Sequence, residues 1–190
     1  MNTKMSPPFQ PPRVEEGLVT ERPVLTFADV YREHFDFVFR AAARLGGPTF
    51  DAEDAAQEVF IVVGRRLDTF DGSCRITTWL YGITLNVVRA QRRRARIRSL
   101  WERAAPPRAP SALESIDRVE LRQAHKIAYE VLDKLAPKKR EVFILAEFEG
   151  LSCDEIAVIV GTRAETVWSR LHYARTEFSA RVDKRMRGEQ

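Results

Sequence analysis

Residues 150–170 have the sequence GLSCDEIAVIVGTRAETVWSR, which contains two helix starts ten residues apart. Each start places a hydroxyl residue three positions before a glutamate, because Ser152 precedes Glu155 and Thr162 precedes Glu165. Such a pair forms a capping box, in which the hydroxyl and the carboxylate accept backbone N–H groups at the start of a helix. A glycine lies between the two predicted helices, where the chain must turn. The stretch therefore predicts a helix-turn-helix.

The second of these helices has an apolar side and a polar side. Val167 and Leu171 are four residues apart and are expected to face the core. The other side is then available to DNA, because side chains near the start of a recognition helix reach base edges in the major groove. The alternative is an amphipathic helix with a solvated charged face. The candidates for base contacts are Arg163, Glu165, Thr166, Ser169 and Arg170.

The composition favours a small intracellular protein. The chain has 190 residues and a formal net charge of +4, enough for one domain or two small ones. Cys74 and Cys153 are too few for a disulfide framework, and neither has the basic-plus-histidine neighbourhood of a reactive thiol. The proline-rich N-terminus does not resemble a secretion signal, and no stretch approaches the roughly 18 apolar residues of a membrane span. We expect a soluble protein of the cytoplasm.

Helical periodicity and proline-rich breaks divide the chain into four segments. Residues 1–24 contain five prolines and few core-forming residues, which is typical of a disordered leader. Residues 25–98 predict three helices, and residues 113–185 predict further helices that end in the helix-turn-helix. Residues 99–112 hold too many prolines for a helix and predict a flexible linker. We expect an all-α protein with two small helical domains joined by this Pro-rich linker.

Local signals predict where individual helices begin and end. Asp51 is expected to cap a helix, and Ser111 with Glu114 forms another possible capping box. Pro137 is expected to break the long helix that follows the linker. Gly82 lies inside a predicted helix, at a cost of about 1 kcal/mol relative to alanine, and suggests a close packing contact. The two domains are expected to move independently unless an inhibitor or an intramolecular contact closes them.

Charge is concentrated in two clusters of opposite sign. Six arginines and no acid occur between residues 89 and 98, which suits either phosphate binding or a solvated helix end. Four acids and no base occur between residues 51 and 58, which suits a protein-binding face; a metal site lacks the required histidines. Trp79, which lies before the arginines, suits either a core position or stacking on an exposed base. The residues before the arginines that suit single-stranded DNA are Thr77, Thr78, Trp79, Tyr81 and Asn86.

Three segments in this order resemble the sigma-70 family of bacterial transcription initiation factors, and specifically its extracytoplasmic-function (ECF) group. Residues 51–60, with the sequence DAEDAAQEVF, resemble region 2.2 of the family. Residues 70–86 and the arginines that follow resemble regions 2.3 and 2.4. Residues 135–143 and 150–175 resemble region 4. The match spans roughly residues 27–180, with the Pro-rich linker between the second and third segments.

The resemblance implies a role for each cluster. The acidic helix would bind the clamp helices of the polymerase beta-prime subunit through Asp51, Asp54, Gln57 and Glu58. The third helix and the loop before it would melt and hold the −10 element through Ser73, Arg75, Thr77, Thr78, Trp79, Tyr81, Asn86, Arg89, Arg92 and Arg93. The helix-turn-helix would bind the −35 element through Arg163, Glu165, Thr166, Trp168, Ser169, Arg170, His172 and Arg175. The implied partners are core RNA polymerase (beta-prime clamp helices and beta flap), promoter DNA and an anti-sigma factor.

The implied function is promoter recognition without covalent chemistry. The chain would direct core polymerase to a promoter and assist strand opening, with no catalytic residue, metal, cofactor or small-molecule substrate of its own. Ile76, Gly82, Trp168 and His172 depart from the residues often found in the family, so the resemblance leaves the promoter sequence open. The alternative is a stand-alone helix-turn-helix transcriptional regulator with an N-terminal sensing or dimerisation bundle. Tight binding of the free chain to a duplex site would favour that alternative.

Overall fold

The computed structural model describes residues 25–101 and 119–187 of the chain. Within these two ranges the chain forms seven α-helices and no β-strand, so the predicted all-α fold is confirmed. None of the helices in these ranges is long and apolar enough to cross a membrane. The predicted leader, most of the predicted linker and the Ser111–Glu114 capping box lie outside the described residues.

The N-terminal bundle consists of α1 (Phe27–Gly46), α2 (Ala52–Arg66) and α3 (Ile76–Trp101). Each helix packs against the other two. Because the buried part of α3 ends near Val88, residues 93–98 extend beyond the bundle with exposed side chains. The shared core is mainly aliphatic, with alanines on α1 and α2, and includes Val30, Val38, Ala42, Leu45, Ala55, Val59, Val63, Leu80 and Val88.

Short polar side chains start the first two helices. Thr26 accepts the backbone N–H of Asp29 at the start of α1, and Asp51 accepts that of Asp54 at the start of α2. The cap predicted at Asp51 is therefore confirmed. The close packing contact predicted at Gly82 is wrong: an added Cβ would meet no other heavy atom within 4 Å, because this side of α3 faces open space.

The C-terminal bundle consists of α4 (Val119–Leu132), α5 (Pro137–Glu147), α6 (Cys153–Val160) and α7 (Ala164–Met186). The long helix α7 packs against each of the other three. Its buried side therefore faces the other helices, while the opposite side of its first turns faces outward. The core of this bundle includes Leu132, Leu135, Val142, Ile144, Leu145, Ile156, Val167, Leu171 and Ala174.

Pro137 starts a helix and does not break one, which corrects the prediction for this position. Helix α4 ends at Leu132, and backbone hydrogen bonds from Lys134 to Val131 and from Leu135 to Leu132 close its last turn. Pro137 is the first residue of α5. A proline is well accommodated there, because the N–H that it lacks would have no partner within the first turn of a helix.

Only one of the two predicted capping boxes in the helix-turn-helix forms. Ser152 Oγ accepts the N–H of Glu155 (3.3 Å), and Glu155 Oε2 accepts the N–H of Ser152 (2.9 Å). The Thr162–Glu165 box is wrong, because α7 begins one residue later and its N-cap is Arg163, without a side-chain cap.

Thr162 instead takes part in ending α6. Its backbone N–H donates to the carbonyl of Ala157 (3.0 Å), while Gly161 adopts the left-handed conformation with φ of 66°. This is the hydrogen bond of a helix C-terminus that ends in a glycine. The glycine turn predicted from the sequence is therefore confirmed. Because Thr162 belongs to this turn, it does not cap the next helix.

The two bundles are in contact within the described residues. Helix α3 packs against α6, and the end of α1 packs against α5. The sequence predicted independent bundles unless an intramolecular contact closes them. The structure contains such a contact, and we call this arrangement the closed arrangement.

Candidate polymerase and nucleic-acid interfaces

The acidic face comprises Asp51, Asp54, Gln57 and Glu58 on the first two turns of α2. Asp54 and Gln57 are exposed, whereas Asp51 and Glu58 are half-buried. Gln91 of α3 donates its side-chain N–H groups to Asp54 (Nε2–Oδ2 2.9 Å) and to Glu58 (Nε2–Oε2 2.8 Å). These hydrogen bonds hold two carboxylates side by side at the surface. The face therefore offers a positioned negative charge to a basic partner.

The loop before α3 and the first turns of α3 hold residues predicted to bind single-stranded DNA. Asp71 Oδ1 accepts the backbone N–H of Ser73 (2.9 Å) in this loop. Trp79 is half-buried, and its ring centroid lies 5.4 Å from that of Phe70. The indole is thus partly packed and partly accessible, which is compatible with both alternatives that the sequence left open. Of the other candidates, Ser73, Arg75 and Asn86 are exposed, and Thr77 and Thr78 are half-buried.

Tyr81 differs from these candidates because its side chain is buried. It is 3% exposed, and its ring packs edge-on against Phe37 with a centroid distance of 4.8 Å. Burial raises the pKa of Tyr81, and the nearby carboxylate of Glu149 in the C-terminal bundle adds to the increase. Tyr81 therefore contacts both bundles, and its ring is inaccessible to DNA in the closed arrangement.

The predicted DNA-binding side of α7 faces away from the core. Val167 and Leu171 are 0% and 5% exposed, which confirms the predicted inward side. Trp168 is 64% exposed, and its ring stacks on that of His172 at a centroid distance of 5.7 Å and an angle of 8°. The stack places a flat aromatic surface where the sequence predicted base contacts. Of the other candidates, Arg163, Glu165 and Arg175 are exposed, and Thr166, Ser169 and Arg170 are half-buried.

Comparisons with known proteins match both bundles to one family. The profile of sigma-70 region 2 matches residues 30–97, and the profile of sigma-70 region 4 matches residues 125–178. The ECF RNA polymerase sigma-E factor of Escherichia coli (strain K12) is 32% identical over 149 residues, which are 74% of this chain and 78% of the relative. The chain belongs to the ECF group of the sigma-70 family. It is a sigma factor of transcription initiation, and the stand-alone regulator is not supported.

Two further relatives align with this sigma factor over different shares of their length. The ECF RNA polymerase sigma factor SigE of Mycolicibacterium smegmatis is 35% identical over 158 residues, 78% of this chain, and the chain spans 58% of that relative's length. The RNA polymerase sigma factor NccH of Alcaligenes xylosoxydans xylosoxydans is 29% identical over 176 residues, 89% of this chain and 95% of the relative.

Two solved structures share the fold of the sigma factor. CnrH, solved in complex with the cytosolic domain of CnrY, has a TM-score of 0.60 and 27% identity, covering 83% of this chain and 87% of that chain. The sigma factor RpoE of Bartonella quintana, solved with the anti-sigma factor NepR, has a TM-score of 0.63 and 22% identity, covering 83% of this chain and 96% of that chain.

Two of the arginines predicted to bind −10 phosphates contact the C-terminal bundle. Arg89 forms a bidentate ion pair with Glu141 of α5, with Nε–Oε1 at 2.9 Å and Nη2–Oε2 at 2.6 Å. Arg92 donates to Asp133 (Nη2–Oδ1 2.7 Å) and to the carbonyl oxygen of Gly46. The hydrogen bond with Glu141 raises the pKa of Arg89 above its ordinary value. In the closed arrangement the guanidinium groups of Arg89 and Arg92 are therefore paired with carboxylates of the C-terminal bundle.

A second group of contacts fixes the end of α1 to the C-terminal bundle. Arg44 Nη1 lies 2.9 Å from Glu149 Oε2, and the hydroxyl of Tyr129 donates to the carbonyl oxygen of Arg44 (3.1 Å). Arg140 Nη1 donates to the carbonyl oxygen of Leu45 (2.6 Å). Burial lowers the pKa of Arg44, but the hydrogen bond with Glu149 and the attraction of its negative charge together raise the pKa above its ordinary value. Charged and polar contacts therefore join the end of α1 to the C-terminal bundle.

The partners of these arginines are not evident from the sequence. Glu141 lies 52 positions from Arg89, and Asp133 lies 41 positions from Arg92, so no local pattern connects them. One signal was available at the start of α5, where Arg140 and Glu141 directly precede an apolar run. These two residues are 4% and 8% exposed, respectively. Charged residues that belong to a buried helix face require partners, and the partner here is the other bundle.

Proposed function

We propose that this sigma factor binds core RNA polymerase through the acidic face of α2 and contacts promoter DNA through α3 and α7. The observation that supports this most directly is the position of the two family matches along the chain. The sigma-70 region 2 match falls on the N-terminal bundle, and the region 4 match falls on the C-terminal bundle. In each bundle the predicted binding side chains lie mostly on the outside, while the apolar positions between them form the core.

The acidic face is the proposed contact with the clamp helices of the beta-prime subunit. Asp54 and Glu58 are held in one row by Gln91, so their orientation is set before a partner arrives. A pre-oriented carboxylate pair loses little conformational entropy when a lysine or arginine of the partner approaches. Asp51 and Gln57 would extend the same contact along α2.

The −10 contacts proposed for α3 require the closed arrangement to open. Arg89 and Arg92 are proposed to hold phosphates together with the exposed Arg93. A guanidinium that is bidentate to Glu141 cannot make the same contact with a phosphate at the same time. DNA binding by this helix and contact between the bundles are therefore alternatives. The stacking and polar contacts with single-stranded bases would come from Ser73, Arg75, Thr77, Thr78, Trp79, Tyr81 and Asn86.

The −35 contacts are proposed for the start of α7. Arg163 and Arg170 suit guanine, whose major-groove edge offers two acceptors, and Thr166 suits the methyl group of thymine. The exposed stack of Trp168 on His172 adds an apolar surface beside them. Glu165, Ser169 and Arg175 complete the proposed set.

We propose the remaining properties by analogy with the relatives. CnrH and the Bartonella RpoE were solved with CnrY and the anti-sigma factor NepR, respectively, and we propose that an anti-sigma protein also binds this chain. Residues 25–98 and 113–185 would form the two functional domains, with residues 99–112 as the tether and residues 1–24 as a leader. The polymerase would supply all covalent chemistry, and the chain would act in the cytoplasm with the polymerase.

Transcription in vitro tests the proposal. Core RNA polymerase with the purified chain should produce transcripts whose start sites share upstream −10 and −35 sequences, and core polymerase alone should not. The Arg170→Ala variant should lose preference at one −35 position by about 1–3 kcal/mol, because a bidentate arginine–base contact is removed. Arg185→Ala, in the last turn of the same helix, is the matched control and should keep that preference. A chain that adds no new start sites to those of core polymerase contradicts the proposed function.

A further inference from the structure

A cleft lies between the two bundles, with a cavity volume of about 620 Å³. One wall is the side of α3 that holds Arg89, Arg92, Arg93 and Arg96. The opposite wall comes from the start of α5, the glycine turn and α7. Cavities that hold small ligands are typically about 300–1,000 Å³, so the cleft is large enough for one. Because each wall belongs to a different bundle, the cleft exists only in the closed arrangement.

The cleft has a large excess of positive charge. Seven of its fifteen lining residues are arginine or lysine, and Glu141 is the single acid among them. Glu141 is already paired with Arg89. The side chains of Arg93, Lys138 and Arg170 form no hydrogen bond or ion pair with another described residue. Like charges that face each other across a small space repel, and a bound anion would relieve this repulsion.

Arg140 is a second, independent sign of missing negative charge. It lines the cleft and is 4% exposed, yet its Nε and Nη2 atoms make no hydrogen bond in the closed arrangement. Its Nε lies 3.3 Å from a carboxylate oxygen of Asp133, but Asp133 is also shared with Arg92. Burial, together with the charge of Arg92, lowers the pKa of Arg140 to about 10. A buried guanidinium with donors left over favours a nearby anion.

The floor of the cleft is apolar. Leu45, Leu85 and Val88 form its nearly buried base, and the more accessible Pro137 and Val160 also line it. An inorganic ion would use the cations alone, whereas a ligand with a planar or apolar portion would also cover this floor. We propose that the cleft binds a small phosphorylated ligand of the nucleotide class, with its phosphates between the two cationic walls and its base on the apolar floor.

This ligand would act as an inhibitor of the free chain. It contacts both bundles and therefore binds the closed arrangement only, so it shifts the equilibrium away from the open form that DNA requires. The inference goes beyond the proposed function, because the ligand would bind the chain in the absence of polymerase and promoter. The ligand is not a substrate, since no bond of it is made or broken.

Calorimetric titration of the full-length free chain tests the proposal with three probes at fixed ionic strength. ATP represents the class, tripolyphosphate represents the phosphates alone, and adenosine represents the base alone. ATP should bind at a single saturable site, tripolyphosphate should bind about tenfold or more weakly, and adenosine should not bind measurably. No saturable ATP binding would overturn the proposal, and equal affinity for ATP and tripolyphosphate would overturn the role of the apolar floor.

Two variants test the site, one from each wall. Arg93→Glu and Lys138→Glu each reverse a charge on an exposed side chain of the cleft, so neither disturbs the core. Each should weaken ATP binding by about tenfold or more, because charge-assisted contacts to phosphate are lost and repulsion is added. Arg65→Glu, an exposed arginine of α2 outside the cleft, is the matched control and should bind ATP as the unchanged chain does.

The same variants distinguish ATP binding in the cleft from the non-specific attraction of anions to a basic protein. Equal weakening by Arg65→Glu would mean that ATP responds to net charge, and this would overturn the proposal. A short single-stranded oligonucleotide is the last arm of the titration. If it displaces ATP and binds with equal affinity per phosphate, the cleft is a nucleic-acid surface and the small-ligand site is refuted.

Discussion

Replacing Arg89 with alanine removes its bidentate ion pair with Glu141 and is expected to open the contact between the two bundles. Both hydrogen bonds of this pair are short, at 2.9 and 2.6 Å, and both connect α3 to α5. Arg89 is on the outer side of α3, with 38% of its side chain exposed. The substitution is therefore expected to leave the N-terminal bundle folded.

The expected magnitude follows from the burial of the pair. Exposed ion pairs contribute roughly 0–1 kcal/mol, whereas breaking a buried pair costs about 3–5 kcal/mol. Arg89 is partly exposed, but the Glu141 side chain is only 11% exposed and would lose this hydrogen-bonding partner. We therefore expect an intermediate cost of about 2 kcal/mol for the closed arrangement, which lowers the ratio of closed to open chains about thirtyfold.

The two native cysteines make this change measurable without further engineering. Cys74 lies just before α3 and Cys153 is the first residue of α6, so each bundle holds one. Both are free thiols with partial exposure. Burial raises the pKa of Cys74, so labelling is best done at mildly alkaline pH, where more thiolate is present. Spin labels on both residues report the distance between bundles by pulsed electron paramagnetic resonance.

The unchanged chain should give a narrow, short distance distribution, and Arg89→Ala should shift it to longer and broader distances. Arg175→Ala is the control, because it breaks an Arg–Glu pair of similar length (2.6 Å to Glu147) that lies wholly within the C-terminal bundle. Its distribution should match that of the unchanged chain. If Arg89→Ala gives the same short distances as the control, the Arg89–Glu141 ion pair does not hold the bundles together.

Three further predictions concern the acidic face, the helix caps and the glycine inside α3. Replacing both Asp54 and Glu58 with lysine should weaken binding to core polymerase at least tenfold in a competition assay, because two attractive charges become repulsive. The control Glu53→Lys, on the same helix turn, should bind normally. Equal binding by the unchanged chain, the double variant and the control would contradict the polymerase contact. Ser152→Ala should lower the free energy of unfolding by about 1 kcal/mol in urea titrations through loss of the capping box, and a change of that size in Thr162→Ala would contradict the assigned start of α7. Gly82→Ala should raise the free energy of unfolding by about 0.5–1 kcal/mol, because alanine favours the helix and its Cβ meets no atom; a decrease would show a contact that the structure lacks.

The sequence was sufficient to predict features that depend on local chemistry. The cap at Asp51, the Ser152–Glu155 box and the turn at Gly161 all follow from side chains that act within a few residues. The inward side of α7 follows from the spacing of Val167 and Leu171 in the same way. Such patterns were enough to predict the all-α fold and to match both bundles to segments of one family.

Features that depend on competition or on distant contacts could not be predicted in this way. In the sequence, Pro137 is equally compatible with a helix break and with a helix start. In the structure α4 already ends at Leu132, so Pro137 starts α5. Thr162 resembles a helix cap, but its N–H is used to end the preceding helix. The contact between the bundles joins Arg89 to Glu141 across 52 positions, and no period in the sequence connects two such residues.

The most direct test of the central claim is complex formation between the purified chain and core RNA polymerase, measured by sizing chromatography at physiological salt. The sigma factor is expected to form a stable one-to-one complex that is lost when Asp54 and Glu58 are both replaced with lysine. Absence of a complex, with a folded chain free of any inhibitory protein, would contradict the assignment of the acidic face and of the chain as an initiation factor for that polymerase.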